Sequence, residues 1–235
     1  MASGLEQLLL PAECLLCRQL LSARLSDRRV CDVCRHRWRP VRPPWCERCG
    51  QPGPHFGPCR VCLSWPAELC RVRSAVWLDA GARDAVHALK YGGWSGVAAE
   101  LADTMVARLD PPGADAVLVP VPLTARRRRR RGYNQSERLA AALGSRWGCR
   151  VREDLLTRTR ADATQTALTP EARQANVAGA FAARPRAAGG VSLVLVDDVL
   201  TTGATVAECA RALAGAGWRS LAAVTFGRAV IPDFS

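Results

Sequence analysis

The chain has 235 residues, 49% of them apolar, with 33 basic against 21 acidic side chains and a net charge of +12. That apolar share excludes general disorder, and the length suits one medium α/β domain with a small accessory module. No stretch reaches the roughly 18 apolar residues of a membrane helix, and residues 1–12 lack the pattern of a signal peptide, so no membrane insertion and a cytoplasmic location are expected. The basic balance favours polyanionic partners. Lys90 is the sole lysine, however, and an arginine bias can also follow from genomic base composition.

The first expected element, within residues 1–70, is a metal-binding module. Eight of the 11 cysteines form four Cys-x-x-Cys pairs: Cys14/Cys17, Cys31/Cys34, Cys46/Cys49 and Cys59/Cys62. A two-residue gap lets one turn present both sulfurs to one ion, and two such pairs complete a tetrahedral four-thiolate site. Thirteen residues separate the first two pairs and nine the last two, room for a hairpin in each case. Two zinc ribbons in series, with two structural Zn²⁺, is the economical reading; spacing alone also allows an interleaved, cross-braced pairing. A reducing compartment argues against disulfides, and four thiolates leave no open position for a catalytic metal. Zinc would supply the folding energy of a stretch too short for its own core. Cys70, Cys149 and Cys209 stand alone and are expected to be small buried hydrophobes. The module also carries Arg18, Arg24, Arg28, Arg29, Arg35, Arg37, Arg39 and Arg42, with Trp38 and Trp45 among them. This mixture suits phosphate contacts with base stacking, or else the tryptophans pack the ribbon against the next domain.

Residues 71–235 read as an α/β domain. A short strand is expected over Ser74–Leu78 and a helix over Ala82–Leu89, leading to Lys90-Tyr91-Gly92-Gly93. A helix from Ser95 to Leu109 stops before Asp110-Pro111-Pro112-Gly113. A buried strand over Ala116–Pro122 opens into a loop with six consecutive arginines, Arg126 to Arg131, then Gly132, Tyr133, Asn134 and Gln135. Next come an amphipathic helix to Trp147 and a donor-rich excursion carrying Arg158, Arg160, Thr164, Gln165 and Arg173. The strand Val191–Val196 ends in Asp197 and Asp198, and a helix over Val206–Gly215 precedes a last strand, Leu221–Phe226. Strands alternating with helices imply a mostly parallel sheet with flanking helices, and such sheets bind ligands at the carboxyl ends of their strands.

The chemistry concentrates in residues 194–206, VLVDDVLTTGATV. Thr201, Thr202, Gly203, Ala204 and Thr205 offer hydroxyls and backbone N–H groups at a helix N-terminus, which suits a phosphate dianion. Two carboxylates beside a phosphate cradle repel the phosphate itself. They fit a ligand on which they hold something else, such as ribose hydroxyls or a bridging Mg²⁺, and a ribose 5-phosphate group meets both demands. An ordinary capped helix needs only one Asp, Ser or Thr. The arginine loop would grip a pyrophosphate or lie along a nucleic-acid backbone, with Arg126, Arg127, Arg128, Arg129 and Arg130 the polyanion contacts.

This stretch resembles the phosphoribosyl-pyrophosphate (PRPP) motif of type I phosphoribosyltransferases. The resemblance implies that Asp197 and Asp198 hold the ribose hydroxyls and Thr201 to Thr205 wrap the 5′-phosphate. The ordered set of four Cys-x-x-Cys pairs, ALKYGG, PVPLTARRRRRRGYNQ, LTRTRADATQTALTPEARQANVAGAF and VLVDDVLTTGAT resembles the ComF family. Its members join a zinc-binding N-terminus to a phosphoribosyltransferase-like domain. That resemblance implies PRPP bound with Mg²⁺, a flexible loop closing over the pyrophosphate and, for competence members, contact with single-stranded DNA and competence-machinery proteins. One departure stands out: purine-salvage relatives commonly carry an aspartate where Thr201 stands, and threonine cannot handle a base's proton at neutral pH. Three readings follow: a PRPP- and DNA-binding protein of DNA uptake, an active phosphoribosyltransferase, or a nucleic-acid scaffold that PRPP regulates.

Overall fold

The computed structural model describes residues 12–21, 28–53, 57–160, 177–186 and 190–229. Helix α1 (Asp32–His36), strand β1 (Leu69–Trp77), helices α2 (Ala80–Tyr91) and α3 (Val97–Val106) and strand β2 (Val117–Pro120) come first. Helices α4 (Ala125–Arg131) and α5 (Gln135–Trp147) and strands β3 (Arg150–Val151), β4 (Leu156–Arg158) and β5 (Phe181–Ala183) follow. The described elements end with β6 (Leu193–Leu200), α6 (Ala204–Gly215) and β7 (Leu221–Arg228).

Five strands form one parallel sheet in the order β1-β7-β6-β2-β3, and β4 pairs antiparallel with β5 in a separate two-stranded sheet. This is the α/β architecture that the alternation of elements implied. The middle strand β6 is buried from Leu193 to Val196, as a parallel strand covered on both faces must be. Alternate side chains face alternate layers. Val194, Val196, Val224 and Phe226 join a core with α2, α3 and α5, whereas Leu193, Leu195, Leu221 and Ala223 join a second core with α6. Each core also takes in part of the cysteine module. Cys14, Cys34 and Trp38 belong to the first, and Cys49, Cys62 and Trp65 to the second. Among the described residues no helix is long and apolar enough to cross a membrane.

Several boundaries differ from those expected. Strand β1 begins at Leu69 rather than Ser74, in parallel register with β7 from Leu221 onward. Lys90 and Tyr91 lie in the last turn of α2, not beyond it. Strand β6 does not end at the acidic pair: Asp197 pairs with Thr225 and the ladder runs on to Leu200 opposite Arg228. Aspartate is a poor strand former, and here the neighbouring strands override that preference. The arginine run is a helix, not a loop. Thr124 accepts a hydrogen bond from the Arg127 N–H at 3.2 Å and starts α4; Gly132, at φ +79°, ends it. Arginine is a good helix former, but no residue of α4 is buried, so no apolar stripe announces the helix. Cys149 and Cys209 are buried as expected, whereas Cys70 is exposed, beside the irregular start of β1.

Candidate functional site

The cysteines resolve into two tetrads in series, Cys14/Cys17/Cys31/Cys34 and Cys46/Cys49/Cys59/Cys62, each with its sulfurs within 4.8 Å of one another. Cross-bracing is therefore excluded. Thiolates held about 2.3 Å from one tetrahedral zinc stand about 3.8 Å apart. The separations are 3.9 Å for Cys14–Cys34, 3.7 Å for Cys17–Cys31, 3.8 Å for Cys46–Cys62 and 3.6 Å for Cys49–Cys59. Donor chemistry and spacing both fit two structural Zn²⁺.

Trp38, one of the two tryptophans weighed for base stacking, is wholly buried and meets the Phe226 ring edge-on at 5.1 Å. It packs the first ribbon against the sheet, and burial removes it from any nucleic-acid surface. Trp45 lies under the guanidinium of Arg73, 5.1 Å away.

At the carboxyl ends of β2 and β6 a cleft of about 420 Å³ opens. Asp197 and Asp198 form its floor, with Thr201 and Thr205 beside them. Asp197 Oδ1 accepts from Ser136 Oγ and from the Asp198 N–H, both at 2.9 Å. Desolvation, then the neighbouring Asp198 charge, push the Asp197 carboxyl up to about 7; Lys90 and the two hydrogen bonds pull the other way. Asp198 is 3% exposed, and its Oδ2 meets Lys90 Nζ at 2.6 Å. The two carboxyls thus occupy different environments, one matched by a cation and one leaning toward its protonated form.

The walls are basic. Helix α2 contributes Lys90 and Tyr91, and α4 contributes Arg127 and Arg131. Arg131 donates to Tyr91 Oη at 3.0 Å and to Gln135 Oε1 at 2.8 Å, and its guanidinium lies 4.7 Å from the Tyr91 ring. Arg158, on β4, completes the wall, so five basic side chains (Arg83, Lys90, Arg127, Arg131 and Arg158) face two carboxyls.

The turn after β6 is built to leave donors open. Gly203 is the N-cap of α6 at φ +79° and offers no side-chain cap, so the first-turn N–H groups beyond Ala204 keep their capacity for an anion. Thr202 Oγ1 accepts from the Ala204 N–H at 3.4 Å, holding the turn together.

Other expected residues act as supports. Asn134 is buried; its Oδ1 accepts from the Ser136 N–H and its Nδ2 donates to the Val121 carbonyl, each at 3.0 Å. It therefore caps α5 and ties it to β2. Gly132 terminates α4, and Tyr133 Oη donates to the Leu89 carbonyl. Arg126, Arg128, Arg129 and Arg130 are exposed, Arg128 paired with Glu137 at 2.6 Å. Arg160 turns to the Ala178 carbonyl at 3.1 Å. Thr164, Gln165 and Arg173 lie outside the described residues.

Sequence reasoning missed four residues. Arg83 and His87 of α2 line the cleft, and His87 meets the Tyr91 ring at a tilt of 44° with ring centres 4.9 Å apart. Their spacing with Lys90 and Tyr91 puts all four on one helix face, a signal that was available. Ser136 and Trp65 gave no such signal: one meets Asp197 and the other packs against Gly203 only through the tertiary fold.

Comparison with known proteins bears on the cysteine module and on the chain as a whole. The family model for a double zinc ribbon domain matches residues 5–63. DNA utilization protein YhgH of Salmonella typhi is 38% identical over 214 residues, 88% of this chain and 92% of that protein. DNA utilization protein YhgH of Escherichia coli (strain K12) is 36% identical over the same shares. Competence protein ComFC of Bacillus subtilis (strain 168) is 26% identical over 217 residues, 85% of this chain and 88% of that protein. Likeness at this level across nearly the whole of both chains, ribbons and sheet together, means that this chain belongs to the ComF family.

Proposed function

We propose that the protein binds PRPP or a related ribose phosphate in the basic cleft and handles single-stranded DNA during DNA uptake. The observation that carries the ligand reading is the conjunction of an acidic pair at the end of β6, an uncapped helix N-terminus beside it and five basic side chains facing both. In this reading the Thr201–Thr205 turn receives the 5′-phosphate. Asp197 and Asp198 accept from the ribose hydroxyls. Lys90, Arg131 and Arg158 face the diphosphate. Lys90 exchanges part of its Asp198 pairing for the incoming anion, while Ser136 holds Asp197 in place. Mg²⁺, drawing on Asp197 and the ligand's own oxygens, would neutralise diphosphate charge.

Binding is favoured over turnover because Thr201 offers no base at neutral pH for an acceptor's proton. The relatives' names, DNA utilization protein and competence protein, support a role in handling DNA. A surface suited to a single strand supports it too. Tyr91, 53% exposed, lies under Arg130 and Arg131; Trp94, 43% exposed, lies under Arg29; and α4 presents further exposed arginines beside them. Stacking faces joined to guanidinium groups suit unpaired bases on a phosphate chain. We place the protein in the cytoplasm, where its thiols stay reduced and competence-machinery proteins would deliver the strand.

A gel-shift titration against NaCl tests the DNA reading. Affinity should fall steeply with salt, and Arg129→Ala with Arg130→Ala should reduce the slope by about 1–2. An affinity indifferent to salt would refute the arginine contacts.

A further inference from the structure

We propose that the second zinc ribbon is a structural wall of the phosphate seat, with Trp65 as the positioning residue that holds the Thr201–Thr205 turn in its anion-receiving shape. The inference rests on the reading of that turn as the seat of a sugar phosphate.

Gly203 lies directly against Trp65. A Cβ on Gly203 would stand 2.2 Å from Trp65 Cζ2 and about 3 Å from the next two indole carbons, at 3.0 and 3.1 Å. Glycine is thus required twice at this position, for its φ of +79° and for the contact with the indole. Trp65 is 7% exposed and packed into the second core. Its backbone N–H donates to the Cys62 carbonyl at 3.1 Å, which seats the residue on the last cysteine of the second tetrad.

Arg48 extends that hold. It stands between Cys46 and Cys49, and its guanidinium donates to the carbonyls of Cys62 (3.0 Å), Trp65 (3.1 Å), Pro66 (2.6 Å) and Leu69 (3.1 Å). One planar fork therefore pins the whole segment from the last zinc ligand to the start of β1. Two more links lead to the same region. Arg211 of α6 donates to the Ser64 carbonyl at 2.7 Å, one residue from the indole. Arg228 of β7, 1% exposed, donates to the Cys49 carbonyl at 2.9 Å and to Gln51 Oε1 at 2.5 Å. A metal closing the second tetrad thereby fixes Arg48, Trp65 and Gly203 in sequence. The helix N-terminus then meets its anion already arranged, with less ordering left for binding to supply.

A purely packing role for Trp65 would lower stability without discriminating between ligands. The positioning role predicts a split. Ribose 5-phosphate depends on the turn beneath Trp65, whereas inorganic pyrophosphate depends on the basic residues of α2, α4 and β4.

Calorimetry with each of these two compounds on the full chain, together with metal analysis and melting, tests this. Trp65→Leu should keep two zinc ions per chain and weaken ribose 5-phosphate by about tenfold, the scale of one charge-assisted hydrogen bond, with pyrophosphate changed less than about twofold. Trp65→Phe, which keeps an aromatic ring but lacks the outer indole atoms, should fold even where the leucine variant does not and show the same split at about threefold. Unchanged ribose 5-phosphate affinity, or equal losses for both compounds, overturns the positioning role. If the unsubstituted protein takes up no ribose 5-phosphate, the seat itself is misassigned, a different failure read from a different sample.

Discussion

The two zinc ribbons share one ligand chemistry and dock on opposite faces of one sheet, yet their attachments differ in kind. The first is fastened to the scaffold. Glu100 of α3, only 4% exposed, accepts from the backbone N–H groups of Arg29 and Val30; Trp38 plugs against Phe226; and Arg108 donates to the Trp38 carbonyl at 2.9 Å. Burial pushes the Glu100 carboxyl up, against the pull of those two N–H bonds. The second is also tied to the scaffold, through Arg228 of β7 on Cys49, but in addition it reaches the site, through Trp65 on Gly203 and Arg211 on Ser64. Identical metal knuckles therefore do not imply identical duties, and what distinguishes them is the element each one leans on.

The largest effect expected from breaking this comparison comes from the metal ligands. Cys62→Ser should leave about one zinc per chain and abolish measurable ribose 5-phosphate binding. Cys34→Ser should also leave about one zinc and lower the melting temperature, since structural zinc supplies folding energy, but the folded fraction should keep its ligand affinity. Metal analysis paired with calorimetry reads both. Equal losses of affinity would erase the distinction between the ribbons.

Next in size is the acidic pair. Asp198→Asn leaves the Lys90 ammonium, itself only partly exposed, without its carboxylate, and should lower stability by about 1–3 kcal/mol as well as weaken PRPP binding. Asp197→Asn should weaken binding without that loss. Its sign follows from the protons held. The folded carboxyl keeps its proton to about 7 and the unfolded one only to about 3.8, so the native state binds more protons between those values. Stability from this group is therefore greatest at low pH and declines as pH rises through the window. Asp197→Asn should flatten that decline, measured by melting from pH 4 to pH 8.

On the other face, Trp38→Leu should cost about 2–4 kcal/mol through the cavity it leaves, with ribose 5-phosphate affinity within about twofold of the unsubstituted protein. Glu100→Gln is expected to be milder, about 1–3 kcal/mol, since the amide oxygen keeps an acceptor for one of the two N–H groups while its NH2 turns donors toward the other. A tight coupling of either substitution to ligand affinity would place the first ribbon in the site as well.

Much of the fold and of the candidate site was legible in the amino-acid sequence, and the reasons are local. Four Cys-x-x-Cys pairs and the contiguous VLVDDVLTTGAT segment carry their chemistry within a few residues, so spacing located the eight thiolates and the acidic pair, while the serial grouping of the tetrads needed the fold. The alternation of apolar runs with helical stretches gave the parallel sheet. What escaped was nonlocal or unpatterned. Helix α4 buries nothing and so lacks periodicity; Arg83 and His87 join the cleft through the curvature of a helix face; Trp65 reaches Gly203 across 138 positions of chain. Trp38 was ambiguous for the same reason, because its partner Phe226 lies near the other end of the sequence.

Titration calorimetry of PRPP with Mg²⁺, comparing the unsubstituted protein with the Asp197→Asn/Asp198→Asn double variant, tests the central claim most directly. The account predicts saturable heat at one site per chain, lost in a double variant that still melts cooperatively with two zinc ions bound. Absence of heat in the unsubstituted protein, or the same affinity in the double variant, would contradict it.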